Sequence, residues 1–116
     1  MKLLLALAFV ALAGVQESTV YEPGNGVSLP EATRQVGPQY TSEAMKNRIE
    51  GSVELDVVVK SDGKVGDVKV VKSLDALYGL DDNAVKAMKQ WEFKPGTKDN
   101  RPVAVRIHVE MAFTLK

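Results

Sequence analysis

The sequence predicts an α+β domain: a small antiparallel three-stranded sheet with two helices packed on one face, in the order α-β-β-α-β. Three observations carry this. Apolar and polar residues alternate in "SVELDVVVK" and again in "RPVAVRIHVEMAFTLK", an Asp-Gly pair follows the first of these, and two other stretches repeat apolar residues at helical spacing. The 116 residues, 45% hydrophobic and 26% charged, suit one domain with one core.

The first helix is expected in "YTSEAMKNRIEG". Ala44, Met45, Arg48 and Ile49 recur at its spacing, Thr41 or Ser42 can cap the orphan amides, and Gly51 can take the left-handed stop. In the strand that follows, Val53, Leu55, Val57 and Val59 share one face, and Ser52, Glu54, Asp56, Val58 and Lys60 share the other. Asp62-Gly63 then signals a hairpin, with Val65 to Lys72 as the returning strand. Val65 is out of phase with Val68 and Val70, which predicts a bulge near Gly66-Asp67.

"GLDDNAVKAMKQWEF" announces the second helix, with Asp81 as N-cap, Asp82 favoured by the helix dipole, and Leu80 stapled to Val85. Ala84, Met88 and Trp91 line its apolar stripe. Pro95-Gly96 stops it and "TKDNR" turns the chain into the last strand. From Val103 to Leu115 that strand would extend for about 44 Å, more than the hairpin strands are expected to cover. Arriving after a helix, it can join only an outer border of the hairpin, so one of its own edges stays open, with Pro102 guarding only the start.

Two segments precede this core. Glu17 to Gly37 is rich in turn residues ("EPGNG", Pro30) and reads as an extended lead-in outside the core, with one short strand around Val27 to Leu29. Residues 1–16 place Lys2 before an apolar run from Leu3 to Val15, about 20 Å long as a helix against a hydrocarbon core of about 30 Å. The run reads as a secretory signal cut before Gly14 or nearer Gln16, or alternatively as a short uncleaved membrane anchor. The domain proper is therefore 38–116, secreted, with no stable membrane span if the leader is removed.

Fifteen basic and fifteen acidic residues cancel, which disfavours nucleic acid and anionic membranes as partners. No cysteine is present, which removes disulfides, thiolate zinc and thiol catalysis. His108 shares its strand face with Arg106 and Glu110 and reads as a solvated residue, not a metal ligand. Asp75, Asp81 and Asp82 are explained by capping and turns, and Trp91 with Phe93 by a core anchor, with a recognition pair as the alternative. No nucleophile elbow, phosphate loop or dinucleotide fingerprint occurs, so no catalytic residue, cofactor or metal site is expected and the chain is not read as an enzyme.

Taken in order, "PQYTSEAMKNRIEGSVELDVVVKSDGKVGDVKVVKS", "GLDDNAVKAMKQWEFKPG" and "RPVAVRIHVEMAFTLK" resemble the C-terminal domain of the TonB family of periplasmic energy transducers. The specific elements are Pro38 to Tyr40, Gly51, Asp62-Gly63, Leu80-Asp81, and Trp91-Glu92-Phe93 with Pro95. The resemblance implies binding of outer-membrane TonB-dependent receptors, whose N-terminal TonB-box peptide adds as a strand beside the last strand. It carries the contact residues over to Pro38, Gln39 and Tyr40 and to the strand from about Val103 through Phe113, namely Val103, Ala104, Val105, Arg106, Ile107, His108, Val109, Glu110 and Met111 onward. Thr41 stands where many members have proline.

A full transducer of that family has a membrane anchor and a long proline-rich spacer. Here about twenty residues, reaching roughly 70 Å, separate the apolar run from Pro38, so a cleaved chain is not expected to transmit force. The second reading is a structural or regulatory interaction protein whose open edge pairs with its own copy, as a homodimer, or with another envelope protein.

Overall fold

The structure is a computed structural model that describes residues 19–116. The signal or anchor expected over 1–16 lies outside the described residues. Five elements follow the expected order. A short helix α1 spans Ser42–Lys46, strands β3 and β4 span Gly51–Val59 and Val65–Lys72, helix α2 spans Leu80–Met88, and the last strand β8 spans Ala104–Phe113.

The alternation in β3 has the expected result, since Val53, Leu55, Val57 and Val59 are all fully buried. They meet Leu80, Ala84, Ala87 and Met88 of α2, Ala44 of α1, and Met111 and Phe113 of β8 in one core. Burying each large aliphatic side chain contributes about 1.5–3 kcal/mol, so β3 is the main apolar support of the sheet. The hairpin forms at Asp62-Gly63, where the Lys64 amide donates to Asp62 Oδ1 at 2.9 Å and Gly63 adopts φ +86°. Gly63 also receives the Phe93 amide at 2.9 Å, and a Cβ there would sit 2.1 Å from the Phe93 carbonyl oxygen. Only glycine satisfies both demands.

The bulge is where the phase slip put it. Val57 faces Val68 and Val59 faces Val65, so β4 carries one extra residue around Gly66-Asp67. A second irregularity follows, because Glu54 faces Lys72 while Leu55 faces Val70, leaving Val71 extra and exposed.

Several local expectations are corrected. The cap of α1 is Thr41, whose Oγ1 accepts from the Ala44 amide, but Arg48 at φ +53° takes the left-handed stop in place of Gly51. Met45 points outward. Helix α2 begins at Leu80, with Gly79 and not Asp81 in the cap position and no side-chain cap of its own. Its first two amides are served from outside, since the Asp75 carboxylate accepts from Leu80 and the Asp75 carbonyl from Asp81, while the same carboxylate holds the preceding turn at the Leu77 and Tyr78 amides. Asp81, inside the first turn, reaches back to the Ser73 hydroxyl and the Leu74 and Asp75 amides. Both carboxylates are buried, and their partners satisfy them.

The largest correction concerns the lead-in, which is built into the fold. Strand β1, Val20–Tyr21, lies parallel to the start of β8, so the main sheet has four strands in the order β1-β8-β3-β4 and is mixed, not three-stranded and purely antiparallel. Strand β2, Glu31–Arg34, pairs with β5, Glu92–Lys94, while Val27 makes only isolated bridges and the strand expected over Val27 to Leu29 does not form. A small hairpin of β6, Thr97–Lys98, and β7, Arg101–Pro102, leads into β8. The Trp91 Nε1–H donates to the Val36 carbonyl at 2.9 Å, tying the end of α2 to the lead-in, and Trp91 is half-buried just beyond the helix.

Leu55→Ala should cost about 2–5 kcal/mol, read as a lower urea midpoint, because truncating a fully buried leucine on the core face of β3 leaves a cavity. Gly63→Val should also destabilise the fold and shift the Phe93 amide resonance. An unchanged Phe93 environment in a folded Gly63→Val variant would contradict the turn contact described here.

Candidate docking edge

Strand β8 is paired along one side without a break: Gly51 faces Phe113 and Val59 faces Val105, with no register shift between. The last strand is shorter than the expected Val103 to Leu115, and β3 alone matches it from Val105 to Phe113, so the expected excess over the hairpin strands shrinks to Ala104. On the other side, β1 takes only Ala104 and Val105. Among the described residues, no strand pairs with the outer side of Arg106 to Phe113.

This edge differs from its opposite. At the far border of the sheet, β4 carries two register irregularities and the exposed Lys69 and Lys72, features that discourage strand addition. The β8 edge is regular. In a strand, alternate residues aim their N–H and C=O groups at the same neighbour, so this stretch leaves about four residues' worth of main-chain donors and acceptors for another segment.

The side chains of β8 divide by alternation. Val105, Met111 and Phe113 are buried, and Ile107 and Val109 pack against the core from the sheet's rim. Arg106, His108 and Glu110 occupy the outer face, as expected, while Val103 and Ala104 are half-buried. His108 faces Asp56 across the β3–β8 ladder. Its Nδ1 lies 3.3 Å from Asp56 Oδ1 and its Nε2 3.1 Å from Glu54 Oε1. The Asp56 hydrogen bond, with help from Glu54 and against some desolvation, holds the imidazole above its ordinary value of 6.5. Lys72 also approaches Glu54, at 3.8 Å, and Arg106 and Glu110 flank His108 on its own strand. Among the described residues no group of three His, Asp or Glu side chains is placed to hold a metal ion.

The structure brings one of the three expected lead-in contacts to β8. The Tyr40 ring packs edge-on against Phe113, with centroids 5.4 Å apart, and its hydroxyl donates to the Ile49 carbonyl. Burial, reinforced by Glu50, raises the Tyr40 pKa, which keeps the phenol a donor. Gln39 is held elsewhere: its carbonyl accepts from Asn83 Nδ2 at 2.8 Å, and it lines a shallow cleft on α2 with Val36, Lys86 and Gln90. Pro38 is half-buried beside it in sequence and makes no side-chain hydrogen bond.

The sequence pattern described as Gram-negative bacterial TonB protein C-terminal matches residues 36–115. The chain belongs to this TonB C-terminal family. It is 37% identical over 82 residues to Protein TonB of Vibrio cholerae, covering 71% of this chain and 33% of that protein. It is 35% identical over 68 residues to Protein TonB of Escherichia coli, covering 58% of this chain and 28% of that protein. The chain thus spans about a third or less of the length of these two relatives. The solution NMR structure of the Pseudomonas aeruginosa TonB CTD superposes with a TM-score of 0.63 at 24% identity, over 85% of this chain and 97% of that one, which shows the shared fold.

Most of the edge residues that sequence reasoning missed lie in the lead-in, before residues 36–115 that match the family pattern. Glu22 Oε2 is 2.9 Å from Arg106 Nη1, and Lys98 stands 5.3 Å over the Tyr21 ring. Such an exposed ion pair contributes about 0–1 kcal/mol. Glu22, Pro23 and Leu29 line a recess with Asp56, Arg106 and His108 where β1 leaves the sheet, and Leu29 is exposed there. The signal available for β1 was a Val-Tyr pair before "EPGNG", too short to show a period.

Because the folded His108 pKa is raised, its share of stability is fully present below about pH 6.5 and is lost as pH rises through the folded value. Thermal melts of the wild type should therefore fall more between about pH 6 and pH 8 than those of His108→Asn. Equal slopes for the two proteins would remove the Asp56–His108–Glu54 bridge from solution behaviour.

Proposed function

We propose that this domain is a non-enzymatic binding module that captures an extended peptide by adding it as a strand along Arg106 to Phe113 of β8. One observation carries the reading: among the described residues, a regular edge is left without a strand on its outer side, while its first two residues already accept a parallel strand from the chain's own lead-in. The edge is therefore competent for main-chain pairing in this fold, and family membership supplies the partner class. The partner is the N-terminal TonB-box segment of an outer-membrane TonB-dependent receptor.

In this reading the domain, 38–116, works in the periplasm in energy-dependent transport, and residues 1–16 deliver it there as a leader or short anchor. Of the stretch expected from Val103 to Met111, the residues from Arg106 onward supply the pairing strand, because β1 already takes Ala104 and Val105 on that side. Tyr40 fixes the far end of β8 through Phe113, and Pro38 and Gln39 meet the receptor from the side of α2.

The test is a titration of isotope-labelled protein with a TonB-box peptide. Amides from Arg106 to Phe113 should shift first and most. A matched pair of peptides, N-methylated at one or the other set of alternate residues, should separate sharply, one set losing binding and the other retaining much of it. Shifts confined to the helices, or equal behaviour of the two methylated peptides, would count against strand addition.

A further inference from the structure

We infer that β1 is an internal competitor for the docking edge: it caps the edge at Val105 and confines an incoming segment to Arg106–Phe113 unless it is evicted. This rests on the strand-addition reading above and concerns how that site is limited.

Four observations carry it. Val20 and Tyr21 occupy the same side of β8 that the partner would use, in register with Ala104 and Val105. The chain then departs at Glu22-Pro23, where Pro23 cannot donate to a ladder, so β1 cannot lengthen along β8. Glu22 holds Arg106, the first free residue of the edge, at 2.9 Å, which sets the boundary between the occupied and open parts. Finally, β1 belongs to the lead-in, before residues 36–115 that match the family pattern, so it can leave without removing any part of that matched stretch.

The contacts of β1 are few and exposed: two paired residues, one surface ion pair and the Lys98–Tyr21 contact. Neither Val20 nor Tyr21 belongs to the buried core, so β1 can leave without unfolding the sheet. A short segment fits beside it. A longer one gains the last pairs only by displacing it, and its apparent affinity is lowered by the fraction of molecules in which β1 is bound.

The experiment uses the full chain in three forms and two TonB-box peptides of about seven and about eleven residues, lengths that fit within or exceed the open edge. Val20→Pro with Tyr21→Pro removes both donors of β1. Val20→Cys with Ala104→Cys joins the facing pair, and the natural chain contains no cysteine to confuse the bridge. Amide spectra confirm that each form remains folded.

The longer peptide should bind the proline form roughly threefold to tenfold more tightly than wild type, and the bridged form more weakly than wild type. The shorter peptide should bind all three alike. On wild type, the longer peptide alone should move the Val20 and Tyr21 amides toward their unpaired positions. Equal binding of the longer peptide to all three forms would overturn the competitor role while leaving strand addition intact. Failure of both peptides to bind any form would overturn strand addition itself, and the competitor role with it.

Discussion

The register of β8 on β3 is the constraint on which the other features depend. Side chains alternate with period two, so a slip of one residue would turn Val105, Met111 and Phe113 out of the core and bring Arg106, His108 and Glu110 in. The fully buried apolar row of β3 forbids that slip. Its uninterrupted ladder also uses up one complete side of β8, which is why the other side, and only beyond Val105, is the place left for a further strand.

The two borders of the sheet are handled differently. On β4, bulges and lysines interrupt what could otherwise serve as a pairing edge. On β8, regularity is kept and the start alone is covered, by a strand from the same chain. Polar anchoring fastens the loops around the sheet. Asp75 and Asp81 bind the loop from Ser73 to Leu80 from both ends, Trp91 ties the lead-in at Val36, and Gly63 is pinned by Phe93. For Asp81, burial pulls the carboxyl pKa upward, yet the Ser73 hydroxyl and the Asp75 and Leu74 amides outweigh it and hold the value down. This fastening is therefore present at neutral pH and loosens only as pH falls through that lowered value.

Membership of the TonB C-terminal family and the edge geometry bear on different questions. The family pattern covers residues 36–115, and the fold shared with the Pseudomonas aeruginosa domain extends over 85% of this chain. The cap on β8 and the recess lined by Pro23, Leu29 and Arg106 come from residues before that range.

Elements with a period of their own were determined by the sequence alone: the buried face of β3, the Asp-Gly hairpin, the bulge near Gly66-Asp67, the polar face carrying His108, and the helical stripe of Ala84 and Met88. Each follows from residues a few positions apart, whose energetics the chain settles locally. Tertiary structure decided what depended on distant partners. Val20–Tyr21 is too short to form a strand until β8 offers it a ladder, and Gly79 can head α2 because Asp75 supplies the carboxylate from outside the helix. Likewise Glu54 and Asp56 find His108 only through the β3–β8 register. A two-residue strand and a remote cap have no periodicity to read, since the free energy that stabilises them comes from groups brought near by folding itself.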